Sequence, residues 1–169
     1  MLALSLFTNL AADNNLSERG LSRIKKEVRH ELVTLPYYGV FDNLSYRVAP
    51  DGAVTLMGQV TRPTLKSDAE RVVKEIEGVP KVINELEVLP LSPSDDQIRI
   101  AVYRAIFSTI GLDRYALQAV PPIHILVKNG NVMLEGIAAT EGDKNLAGIK
   151  ANSVSGVFSV KNNLRVEEK

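Results

Sequence analysis

The residues of this chain that could do chemistry are mostly cations and aromatics. Arg19, Arg23, Lys26 and His30 fall at i, i+4, i+7 and i+11, a spacing that lines up one side of an α-helix. Lys25 and Arg29 sit close to the edges of that stripe, and Glu18, Glu27 and Glu31 lie elsewhere around the turn. A basic helix face beside an apolar one suits an anionic membrane surface. Each Lys or Arg near such a surface is worth about 1 kcal/mol, so the binding expected is weak and salt-sensitive. The same stripe would also serve as a solvated face that keeps a domain in solution. The loop "LPYYGVF" (35–41) follows, with Tyr37, Tyr38 and Phe41. Exposed aromatics at a helix end can anchor in a bilayer interface; otherwise they close the edge of a core.

Covalent chemistry finds few groups to use. There is no Cys, hence no thiolate nucleophile, disulfide or thiolate metal site. His30 and His124 are the only histidines, and neither has a second His at metal-ligand spacing. No H-E-x-x-H, G-x-S-x-G, P-loop or G-x-G-x-x-G motif is present. Asp95 and Asp96 stand at a helix start, where carboxylates complement the macrodipole. The expectation is a protein that is not an enzyme and uses neither cofactor nor metal. Twenty basic and twenty acidic side chains cancel, which argues against nucleic acid as a partner.

The elements that must position these groups occur twice. "DGAVTLMG" (51–58) and "NGNVMLEG" (129–136) repeat one device 78 positions apart. Carried without a gap from Gly52/Gly130 to Val88/Val166, the two segments agree at 12 of 37 positions, most of them apolar or Gly. The chain therefore reads as a tandem duplication of a unit of about 70 residues.

Each unit opens with a helix. Leu21, Ile24, Val28, Leu32 and Leu35 form the first apolar stripe, with Ser17 as N-cap and Pro36 as the stop. Ile98, Ala101, Val102, Ala105, Ile106 and Ile110 form the second, behind a Ser94–Gln97 capping box and ahead of a Gly111 break. A hairpin follows, turning at Pro50-Asp51-Gly52 or at Asn129-Gly130. Gly58 and Gly136 suit a bulge or a close approach of backbone to a packed helix. On the gapless alignment His124 matches Tyr46, an inward position, and so reads as packing. A second helix (Leu65 to Ile76; about Thr140 to Ser155) leads to a last strand parallel to the second. The fold class expected is α+β: two tandem αββαβ units, each a three-stranded mixed sheet with two helices on one face. The boundaries expected are an N-terminal segment 1–16, unit one 17–90, a proline-stiffened linker 91–94 and unit two 95–169.

The closing motifs Gly78-Val79…Val82…Asn84…Leu86…Val88 and Gly156-Val157…Val160…Asn162…Leu164…Val166, with this element order, resemble the BON domain family. That family is named for an osmotically induced bacterial protein and nodulation proteins. The resemblance implies a non-catalytic module of the bacterial periplasm or envelope. It also implies association with anionic phospholipid, envelope integrity and osmotic-shock protection. The motif residues are structural, so none carries a functional role over. The lipid-binding residues expected from the chain's own pattern are Arg19, Arg23, Lys26, Arg29, Tyr37 and Tyr38. Unit two's longer loop after its first helix offers Leu112, Tyr115 and Leu117 instead. The alternative function is a periplasmic protein–protein adaptor or chaperone-like module that binds an envelope protein through strand edges or the groove between units. The apolar stretch 1–12 reads either as the end of an export signal or as a segment that packs on the domain.

Overall fold

The computed structural model describes residues 16–167. The segment 1–12, with the export-signal reading, lies outside them. Unit one runs α1 (Glu18–Val33), β1 (Asn43–Val48), β2 (Val54–Val60), α2 (Pro63–Lys74), β3 (Val82–Asn84) and β4 (Glu87–Val88). Unit two runs α3 (Pro93–Phe107), a 3-10 turn (Asp113–Leu117), β5 (Ile123–Lys128), β6 (Asn131–Ala138), α4 (Glu141–Asn152), β7 (Ser159–Asn162) and β8 (Arg165–Val166). The α+β fold in two tandem units is as expected. β1 pairs antiparallel with β2, and β3 and β4 pair parallel with β2; β5 to β8 repeat the pattern.

The expected last strand is broken in two, and the repeated Asn is the reason. Asn84 Nδ2 donates to the Lys66 carbonyl of α2 at 3.1 Å, while its Oδ1 accepts from Leu86 N–H at 3.2 Å. Asn162 repeats this with the Lys144 carbonyl (2.7 Å) and Leu164 N–H (3.2 Å). The side chain takes the N–H of the second residue after it, while the N–H between, of Glu85 or Asn163, still donates to β2 or β6 at 2.9 Å; the strand turns there and is tied to the helix above.

The apolar stripes are buried as their spacing requires. Ile24, Val28 and Leu32 of α1, and Ile98, Val102 and Ile106 of α3, are at most 6% exposed. Ser17 caps α1, accepting from Gly20 N–H at 3.2 Å. Several local expectations need correction. The cap of α3 is Ser92, not Ser94: Ser92 Oγ accepts from Asp95 N–H, because Pro93 fits the first helical position. The helix thus begins inside the expected linker. Ile110 lies past the end of α3 and is 94% exposed. Gly58 and Gly136 are needed for a neighbouring strand, not a helix. A Cβ at Gly58 would sit 2.1 Å from the Asn43 carbonyl oxygen, and one at Gly136 2.0 Å from that of Pro122.

The alignment of His124 with Tyr46 also fails. Val48 pairs with Val54 across five turn residues, but Val127 pairs with Val132 across four. The shorter turn moves β5 by one residue, so Ile125, opposite Leu134, is the counterpart of Tyr46, opposite Leu56. A one-residue shift exchanges faces. His124 therefore stands on the outer face of its sheet, away from its own helices.

Unit one meets that outer face with Tyr38, whose ring stacks on His124, and closes the adjoining edge of β5. Val40 and Phe41 pack against unit two's core, and the Phe41 ring meets Tyr103 edge-on at 6.2 Å. Ile125 N–H donates to the Val40 carbonyl at 2.7 Å. Lys128 pairs with Glu87 across the junction. Arg99, nearly buried, closes the remaining edge of β5 by donating to the Val127 carbonyl at 2.7 Å.

Candidate functional site

At about 100° per residue, α1 points Arg19, Arg23, Lys26 and His30 opposite its buried Ile24–Val28–Leu32 face. All four are exposed, as are Lys25 and Arg29. The apolar stripe Ile24–Val28–Leu32 is used in the core, so this helix offers a surface its charges and, at its last residue, the partly exposed Val33. The cations are not equivalent. Arg23 is held by Glu27 (3.1 Å) and donates to the Glu77 carbonyl at 3.0 Å, a brace between α1 and the turn after α2. Arg19, Lys26 and Arg29 have no carboxylate within ion-pair distance among the described residues.

The aromatics of the loop 35–41 go separate ways. Tyr37 is 73% exposed, with the Arg62 guanidinium 4.8 Å above its ring. Tyr38 turns inward against His124, and burial pushes its hydroxyl up to about 12. It is not presented to a surface. The reason is the junction itself, which needs Tyr38, Val40 and Phe41.

The backbone singles out Tyr37 as well. Each of the four α-helices among the described residues is followed by the same four-residue turn, closed by Tyr38 N–H to Leu35 O, Val79 to Ile76, Leu112 to Thr109 and Val157 to Val154. The third residue of each has positive φ: Tyr37 (68°), Gly78 (86°), Gly111 (94°) and Gly156 (88°). Three of the four positions use glycine, the residue such a turn favours. Tyrosine at the fourth is strained by about 1–2 kcal/mol, yet it is left in solvent. Against that strain the ring gains the Arg62 stack, and most of it stays in solvent.

The alternative loop is mostly interior. Leu112 is fully buried and Tyr115 is 7% exposed, whereas Leu117 is 85% exposed. Tyr115 OH donates to Asp143 Oδ2 at 2.8 Å and accepts from Ala139 N–H at 2.8 Å. These bonds seal the start of α4. Asp143 is held below its usual carboxylate range: its burial acts upward but is outweighed by the bonds from Tyr115, Thr140 and Arg114. Asp95 does more than complement a dipole. It is buried and accepts from the N–H groups of Asn129 and Gly130, both at 2.9 Å, clamping the hairpin turn to α3. Between the units lies a groove of about 420 Å³ over Leu89, Leu126 and Met133, rimmed by Gln59 and Lys161.

A family model of the BON domain matches residues 20–90 and again 94–168. The chain belongs to the BON domain family. BON domains are generally non-catalytic binding modules, and membership supports an envelope-associated role for this pair. The two matched segments coincide with the two folded units, so the Gly-Val, Asn and Leu of the BON closing motif are the turn, strand-break and core residues described above. No curated protein sequence matches the chain. Two solved structures of CdsD, a structural protein of the type III secretion system of Chlamydia trachomatis, are similar at 12% identity. One, of its C-terminal domain, has a TM-score of 0.35 and covers 85% of this chain and 96% of that one. The other scores 0.33 and covers 86% and 92%. Among the described residues, no helix is long and apolar enough to cross a membrane.

Proposed function

We propose that this tandem BON protein attaches peripherally to anionic phospholipid surfaces of the bacterial envelope, through the outer face of α1, and so contributes to envelope integrity or osmotic-stress protection. The observation that supports this is the row of exposed cations, Arg19, Lys26 and Arg29, with no carboxylate partner among the described residues. Tyr37, exposed at the end of the same helix, supplies an interfacial ring. Three such cations at about 1 kcal/mol each give a contact that concentrates the protein at a charged surface without fixing it there.

Co-sedimentation with anionic against zwitterionic vesicles, at low and physiological salt, tests the reading. Arg19→Glu/Lys26→Glu is the charge-reversed control, because Arg23 is committed to the fold. Anionic-selective binding that weakens with salt and is lost in the control is the expected result. A protein that stays in the supernatant under all conditions refutes it.

A second reading, an envelope adaptor, is favoured by one feature. Phe158, 85% exposed, precedes β7, which among the described strands pairs on one side only. Such an edge can accept a partner strand. Salt-insensitive capture of an envelope protein, abolished by Phe158→Ser, would support it over the lipid reading.

A further inference from the structure

The junction between the units encloses one imidazole. His124 is 8% exposed. The Tyr38 ring lies over it, centroids 5.6 Å apart and planes 17° from parallel, with the hydroxyl 3.5 Å from Nε2. Nδ1 is buried and no atom meets it in hydrogen-bond geometry, although the Gly39 and Asp42 carbonyls lie close enough to the ring to act on it. The adjacent residue, Ile125, carries the backbone bond to Val40, so ring and clamp share one stretch of β5.

Two carboxylates face the ring, and both are engaged within their own units. Asp42 Oδ1 accepts from Thr61 N–H (2.7 Å) and Thr61 hydroxyl (2.9 Å), and its Oδ2 accepts from Gly39 N–H (3.3 Å). Glu135, opposite His124 on β6, accepts from Asn163 Nδ2 at 2.6 Å. Tyr38 is the other titratable group against the ring. Burial is the largest influence on His124 and pushes it below its ordinary 6.5; the Gly39 and Asp42 carbonyls and the charges of Asp42 and Glu135 oppose it only in part.

We propose that the junction is an acid-operated clasp: protonation of His124 frees segment 37–42 from the edge of β5, so that the two units part and uncover Tyr38, Val40 and Phe41. The released aromatics continue directly from the basic helix α1, so the clasp would regulate the membrane contact. That consequence rests on the lipid reading; the clasp itself does not.

The direction follows from linkage. The parted chain titrates near the ordinary value of 6.5, whereas the closed chain binds the proton less well. Closure is therefore at full strength above 6.5 and weakens as pH falls toward the closed-state value. At pH 5.5 the ratio of parted to closed chains rises by up to about tenfold.

The chain has no Cys, so Ser67→Cys on α2 and Asn145→Cys on α4, both exposed, accept a pair of spin labels without background. The distance distribution is read from pH 8 to pH 5 without lipid. A longer population should appear below pH 6.5 with far-UV circular dichroism unchanged. It should be missing in both His124→Gln and His124→Phe, which have no proton to take. A distribution that does not change down to pH 5, or grows identically in both variants, overturns the clasp. Sedimentation with anionic vesicles at pH 7.5 and 5.5 is read separately. Opening without a gain in binding removes the membrane consequence alone.

Discussion

Tyr37→Gly separates folding from binding at a single residue. The substitution removes the left-handed strain of a φ of 68°, a gain of about 1–2 kcal/mol. It returns about 0.5–1 kcal/mol through the greater freedom of glycine in the unfolded chain. It also loses the Arg62 stack at 4.8 Å, worth about 0.5–1 kcal/mol at an exposed site. These terms nearly cancel, so stability should change by less than about 1 kcal/mol. Membrane affinity should not be spared. A tyrosine that settles about half of its roughly 200 Å² into an interface contributes about 2 kcal/mol. Partition into anionic vesicles should then fall by roughly ten- to thirtyfold. Urea denaturation followed by circular dichroism gives the first quantity and vesicle co-sedimentation the second. A loss of more than about 2 kcal/mol in stability would show the ring to be a structural residue. Unchanged partition with unchanged stability would show that Tyr37 is no anchor.

Two predictions concern the scaffold. Gly136→Ala should cost at least about 2 kcal/mol more than Gly111→Ala. Both sit at positive φ, but a Cβ at Gly111 meets nothing within 4 Å, whereas at Gly136 it meets the Pro122 carbonyl, which also accepts from Ile137 N–H at 2.9 Å. Equal denaturation midpoints for the two variants would contradict this. Asp95→Ala should cost about 3 kcal/mol by leaving the Asn129 and Gly130 N–H groups without their charged acceptor. Hydrogen exchange at those two amides should accelerate with it, and exchange no faster than in the parent chain would refute the clamp.

The duplication, the helix faces and the hairpins were legible because apolar spacing reports which side of an element is buried. Ser17 and the Asn129-Gly130 turn acted locally and could be read locally. Apart from the α3 cap at Ser92 and the strand break at each Asn, what the pattern does not carry is long-range or one residue wide. A turn shortened by one residue inverted the face assigned to His124, and no pattern within β5 shows this, because Ile123 to Val127 are all buried. Tyr38 reads as well for a surface as for an interface until the covering unit is placed. Leu112 and Tyr115 sit in a loop whose composition resembles a binding loop, but it folds back onto α4. One signal is present in the sequence itself: three of four turns after helices carry Gly, and Tyr37 stands in the fourth.

The asymmetry of the two copies explains why one junction forms and does not propagate. Unit one sends Tyr38, Val40 and Phe41 outward from the loop after its first helix; unit two folds the matching loop inward and seals it with Tyr115 and Asp143. The receiving strand differs in the same sense. β5 presents His124 and Leu126, each at most 8% exposed, where the shifted register puts Ser45 and Arg47 on β1. Donor and acceptor surfaces therefore occur once each, on opposite units. A repeat that kept both on every copy would make a heterologous contact and stack without end. Here the pair satisfies itself, and α1 stays uncovered by the partner unit, with its charges facing solvent. The buried imidazole then falls within that single junction, under the Tyr38 ring of unit one.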